Sequence, residues 1–376
     1  MSEAWTQQLS KKLLKVKKSL IIVKIKGVFM SEQNRPSPEK VGMSLGAQKF
    51  QDTKDRVNLS YAERITNPPE YEGYYTGICD VDNPEVALAM VKKLRECRKD
   101  DERLIMIGVM THPVVLDSDI PVPKTVREAI CEEFLAKEEI SKGFIDDPDV
   151  LNTIHYADLY GPDGPWKGQE APNLNKNLEL CVKYGGENLH AIQLDVTWPD
   201  VEELRKFKEK HPEILIILQV GKFALNEADN DPQEVVDKLC EYGDSIDHVL
   251  LDLSMGKGRK MEELDITLLL RQLSLIQYEL PNLGLALAGG LGPKSDESSE
   301  SVYSMDALKR IVEEFPNISI DAQGGLKPLD AERDRSGHFI AKTPVDPERT
   351  GEYIEQASAL LDGNKKGKQN NKMSWI

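Results

Sequence analysis

The sequence lacks a CxxC pair, and its five cysteines (Cys79, Cys97, Cys131, Cys181, Cys240) are odd in number and widely spaced. Neither a disulfide framework nor a zinc site has that pattern, which fits a reducing, cytoplasmic setting. No run of about 18 apolar residues occurs, so no transmembrane segment is expected. Basic residues are outnumbered, giving a net charge of −16. Nucleic acid is thereby excluded as a partner, because phosphate contacts need clustered Lys and Arg. A GxGxxG fingerprint after a first strand is also missing, which weighs against an open dinucleotide-binding sheet.

The sequence itself alternates short apolar, β-branched runs with helical patterns from about residue 74 onward. TGICD, RLIMIGVMTH, LHAIQLDVTWP, EILIILQVGKF, HVLLDLSMGKG, LGLALAGG and ISIDAQGG read as strands. NPEVALAMVKKLREC, VEELRKFKEKH, PQEVVDKLCEY, ITLLLRQLSLIQYEL and MDALKRIVEEF read as helices between them. Such a rhythm implies right-handed crossovers and a parallel sheet. An eighth strand is placed at 142–145, and the residues from there to Tyr160 are read as leading into a helix. Eight strands close a (β/α)8 TIM barrel, expected over 46–362 with an insertion between early strands (113–188).

Residues 1–45 form an N-terminal leader. Its stretch KKLLKVKKSLIIVKIKGVFM resembles a signal peptide, but Lys24 and Lys26 interrupt the apolar run and no small-residue cleavage site follows. A poorly ordered extension, or a start at Met30 or Met43, is expected; a membrane-surface segment is the alternative. Residues 363–376 read as a solvated tail.

Two successive strands end in Gly-Gly, as LALAGGLGP and ISIDAQGG. Barrels carry their chemistry at the C-terminal strand ends and often hold phosphate after the last two. Close approach of backbone N–H groups to a phosphate requires the absence of a Cβ. Gly289, Gly290, Gly292, Gly324 and Gly325 are therefore the expected cradle. A carboxylate inside HVLLDL is costly unless partnered or functional, which singles out Asp252.

LALAGGLGP followed by ISIDAQGG resembles the closing strands of phosphoribosylanthranilate isomerase. HVLLDLSMGKGRKM is similar to that family's preceding strand and loop, AIQLDV to its QLH strand, and TGICDVDNPEVAL to its opening strand and helix. The four motifs keep their order from Thr76 to Pro328. The resemblance implies an Amadori rearrangement of an N-glycosylamine of ribose 5-phosphate to an aminoketose, as in tryptophan biosynthesis, with no cofactor or metal. It places Cys79 as base, activated if neighbours lower its pKa, and Asp252 as general acid. Asp321 would bind the aromatic part, with Gln193 and Arg259 as further substrate ligands. Asp80 stands where the family usually has Gly, QLD replaces QLH, and the family's loop arginine has only Lys124 or Arg127 as substitutes. Two other phosphosugar chemistries are alternatives: a Schiff base on Lys222, or a metal held by His112, Asp195 and Asp321. A barrel that binds a phosphorylated ligand without catalysis is a third. His155, His190, His211 and His248 read as structural.

Overall fold

In a computed structural model, eight parallel strands close a barrel in chain order. The structure describes residues 74–81, 83–97, 103–158, 173–252, 263–293, 305–328, 330–331 and 343–371. All lie in the unit from Ser44 to Ile376, and the leader falls outside them. The strands are β1 Tyr75–Cys79, β2 Leu104–Thr111, β3 Val150–Ala157, β4 Ala191–Asp195, β5 Leu215–Gly221, β6 His248–Asp252, β7 Gly284–Ala288 and β8 Ser319–Ala322. Closure is made by β1 pairing with β8, in the register Thr76↔Ile320, Gly77↔Asp321 and Ile78↔Ala322.

The helices are α1 Pro84–Cys97, α2 Pro113–Leu116, α3 Lys124–Glu133, α4 Leu174–Gly185, α5 Val201–Lys210, α6 Lys222–Glu227, α7 Pro232–Tyr242, α8 Glu263–Glu279, α9 Met305–Glu314 and α10 Pro347–Asn371. Their starts follow from local chemistry. Asn83 accepts from the Glu85 N–H at 2.7 Å, Asp200 from Glu203 at 2.8 Å and Asp231 from Gln233 at 2.9 Å, each satisfying an otherwise orphan donor. Pro84 and Pro232 occupy first-turn positions where no N–H is needed. α10 packs on α1 and continues into the stretch read as a tail. Among the described residues no helix is long and apolar enough to cross a membrane.

One strand differs from expectation. The stretch 142–145 is not the third strand: Lys137–Gly143 is a 3-10 turn, and VLNTIHYA, read as leading into a helix, is the strand. The polar residues Asn152, Thr153 and His155 break its apolar run, yet every residue of it is buried. Asn152 is accommodated by bonding the backbone of Ile145 (3.0 and 2.8 Å) and Asn188 (3.0 Å). The long early connection resolves into α2, α3 and the 3-10 turn before β3, with its own small cluster of Val114, Ile120, Ile130 and Phe134.

Alternate residues of each strand face opposite ways. Ile78, Ile105, Ile107, Val109, Ile154, Ile192 and Leu194 join the layer between sheet and helices. Cys79, Gln193, Gln219, Asp252 and Asp321 turn inward, where they meet one another.

Candidate active site

The inward residues at the C-terminal strand ends form a connected polar chain. The Cys79 thiol on β1 donates to Asp321 Oδ2 on β8 at 3.3 Å and lies 3.9 Å from Gln193 Oε1 on β4. Gln193 Nε2 donates to Gln219 Oε1 on β5 at 3.0 Å, and Gln219 Nε2 donates to Asp252 Oδ2 on β6 at 3.2 Å. Cys79, Gln193, Gln219, Asp252 and Asp321 are all 6% exposed or less. A cysteine on the first strand and an aspartate on the sixth are thus linked through two amides. Gln219, which the sequence reading did not single out, is the link.

Space for the thiol comes from β2. A Cβ at Gly108 would lie 2.4 Å from Cys79 Sγ, so only glycine fits beside it.

The electrostatics correct one expectation. Burial, then the Asp321 charge and hydrogen bond, and then the Asp80 charge push the Cys79 thiol well up against an opposing backbone hydrogen bond at Asp80, so the resting group is a thiol and not a thiolate. Asp321 is itself raised to about 7: burial contributes most, the Asp252 charge adds to it, and the Cys79 and Gln193 side chains oppose it. Asp195, at the end of β4, is also raised to about 7, by burial and then by Asp252 and Asp158. Asp195 therefore belongs to an acidic group at the barrel mouth.

A carboxyl with a raised folded-state pKa binds its proton more tightly than the unfolded chain does. Its contribution to stability therefore falls as pH rises from about 4 towards 7. Asp321→Asn should gain stability over the parent by on the order of 2 kcal/mol more at pH 8 than at pH 5. Urea melts of both proteins at the two pH values would show it; equal differences would mean that Asp321 ionises normally.

The glycine turns after β7 and β8 are neighbours. A Cβ at Gly325 would fall 2.1 Å from Leu291 O, and one at Gly292 would fall 2.6 Å from Gly325 O. These two glycines make room for each other's backbone. Gly289 and Gly290 have φ of 94° and 70°, a region side chains rarely enter. Gly324 opens the short turn Gly324–Leu326. Arg349 Nη2 donates to Gly325 O at 2.9 Å, tying α10 to the second turn.

Lys327, only 6% exposed, pairs with Asp80. Asp80 has φ 70°, which glycine favours and aspartate tolerates. Asp80 thus keeps a backbone bend and gives Lys327 a partner.

Several candidates stand elsewhere. Arg259 lies outside the described residues. Lys124 is exposed on α3 and pairs with Glu128, while Arg127 spends its two Nη groups on the carbonyls of Val114 and Ile120. Lys222 is exposed and so lacks the desolvation that activates a Schiff-base lysine. His112 caps α2, its Nδ1 accepting from Val114 N at 3.1 Å. Among the described residues no three His, Cys, Asp or Glu side chains form a metal-binding group.

No protein-family model matches the sequence, and no curated protein matches it. Several solved structures are distantly similar. Tryptophan synthase subunit alpha from Legionella pneumophila str. Paris is 12% identical over 86% of this chain and 100% of its own, with a TM-score of 0.45. Active domain 2 of a thermostable chitinase from Pyrococcus furiosus is 12% identical over 77% of this chain and 94% of its own, also at 0.45. D-psicose 3-epimerase from Clostridium cellulolyticum H10 is 14% identical over 78% and 96%, at 0.38. At these identities the likeness assigns no chemistry to this chain.

Proposed function

We propose that this barrel is an isomerase of the phosphoribosylanthranilate isomerase type, converting an N-glycosylamine of ribose 5-phosphate into an aminoketose. One observation carries the reading. The cysteine and two aspartates that the motif resemblance assigns meet in one buried network, beside the glycine turns of β7 and β8.

The turn backbones at Gly289, Gly290 and Gly324 hold the phosphate monoester, with Gly292 and Gly325 packing the two turns together. Asp252 and Asp321 each disfavour the other's charge, so the pair shares one proton; with that proton on Asp252 and Asp321 ionised, Asp252 gives it to the furanose ring oxygen. The ring C1–O bond then breaks, and the nitrogen lone pair forms an iminium at C1. The C2 proton passes to the Cys79–Asp321 pair: sulfur takes it while its own proton moves to the Asp321 carboxylate. The C2–H electrons become the C1=C2 bond, and the enolamine tautomerises to the ketone. A carboxyl that titrates near neutrality suits this relay, because a good general base has its pKa close to working pH. The positive iminium also favours loss of the thiol proton at the moment it is needed.

The full-length chain is tested with the N-glycosylamine formed in situ from anthranilate and ribose 5-phosphate, following appearance of the aminoketose. Turnover that disappears in Cys79→Ala supports the reading. Conversion no faster than in a Cys79→Ala/Asp252→Asn double variant would retire it. Epimerase and lyase chemistry draw no support from Lys222 or from His112.

A further inference from the structure

The ladder between the first strand and the last stops just short of the site, at Ile78↔Ala322. Beyond it side chains take over. Cys79 donates to Asp321, and the buried Lys327 pairs with Asp80. The Lys327 ammonium also donates to Thr343 O, ahead of α10. Its own N–H closes the Gly324–Leu326 turn, donating to Gly324 O at 3.3 Å. Lys327 is therefore fixed to the second glycine turn while its ammonium holds the end of β1.

Asp80 is held on both flanks. Cys79 pairs with Gly108, and the Val81 N–H donates to Gly108 O at 3.0 Å. Its φ of 70° lies in the narrow left-handed region, so its carboxylate and its N–H turn as one body. That N–H faces the sulfur. Burial, Asp321 and the Asp80 carboxylate keep the proton on Cys79, whereas the Asp80 N–H donates to the sulfur and favours the proton's loss.

On the strength of the phosphosugar reading, we propose that Lys327 and Asp80 are positioning residues, through which an anion held by the glycine turns fixes the Asp80 N–H on the Cys79 sulfur. An anion on the Gly324 turn narrows the positions which that turn takes. Lys327 passes the constraint to the Asp80 carboxylate. The N–H is then steady where negative charge gathers as the thiol proton leaves. Binding energy from the phosphate, remote from C1 and C2, is thereby used at the reacting carbon and not only in holding the substrate.

Phosphate and sugar can be supplied separately. The N-glycosylamine of anthranilate and plain ribose is offered with and without inorganic phosphate, and each rate is corrected for the reaction without protein. In the full-length wild type, phosphate should raise turnover at least about tenfold, a coupling of ordinary size. In Asp80→Gly/Lys327→Met that ratio should fall to within about twofold of unity. Its kcat for the ribose 5-phosphate conjugate should fall about tenfold, with KM little changed. Glycine favours φ near 70° and both charges leave together, so this double variant should melt close to the parent. A double variant that is activated as strongly as wild type overturns the proposal, and so does one in which only KM rises. Should the double variant fail to fold, iodoacetamide on the wild type decides, with Cys79 followed by peptide mass spectrometry. Phosphate should speed alkylation of Cys79 about threefold, because a steadied N–H favours the nucleophilic thiolate. Mere stabilisation of the fold would slow it, and an unchanged or slower reaction overturns the proposal. Wild type that converts the ribose 5-phosphate conjugate but gains nothing from added phosphate ends this proposal alone. Wild type that converts neither conjugate, with or without phosphate, ends the functional reading and this proposal with it.

Discussion

Asp252→Asn is expected to lower turnover by roughly 10²–10⁴-fold, the usual worth of a positioned general acid. Asparagine keeps the shape of the side chain and an oxygen for the 3.2 Å bond from Gln219 Nε2. The barrel should therefore fold as before and bind the phosphosugar at near-parental strength. The loss should fall on kcat and leave KM little changed, because the missing proton matters only in the transition state. Parental kcat in this variant would remove Asp252 from the chemistry. A rise in KM alone would make it a ligand for the sugar.

The second large effect is structural. In Gly325→Ala the new Cβ would sit 2.1 Å from Leu291 O, 2.8 Å from Leu291 C and 3.1 Å from Gly292 Cα, all main-chain atoms. No side chain can rotate away, so one turn has to separate from the other. Overpacking of this kind costs about 1–3 kcal/mol, or roughly 2–10 °C in Tm for a domain of this size. Separation also pulls the proposed anion site apart, so added inorganic phosphate or ribose 5-phosphate should no longer raise Tm. Gly351→Ala is the control. Its Cβ meets nothing nearer than 3.8 Å, and it lies within α10, where alanine is the better helix former. A Gly325→Ala protein that melts and responds to phosphate like the parent would show that the turn contact is unimportant.

Much of the architecture was legible because seven strands read as short apolar or β-branched runs that alternate with helical patterns. β3 escaped because its polar residues break the apolar run, and the contacts that answer them form only in the fold. Asn152 is answered by Ile145 and Asn188, and His155 by nothing within the described residues. The site was legible where a motif marked it, at Cys79, Asp252, Asp321 and the glycines. Gln219 sits in LQVG, a run indistinguishable from ordinary buried strand, and only the closed barrel brings it between Gln193 and Asp252. Gly108 looks like a gap in RLIMIGVMTH until the thiol beside it is seen. The state of that thiol was unreadable as well, since it depends on Asp321, 242 positions away.

The seam between the first strand and the last has a consequence for synthesis. Thr76 acquires its second neighbour only when Ile320 arrives. A nascent chain must therefore carry the unpaired edge of β1 through on the order of tens of seconds of translation, at about 5–20 residues per second. Until then the growing sheet is open and sticky, and chaperones that shield strand edges should matter more for its yield than for that of a protein built from local hairpins.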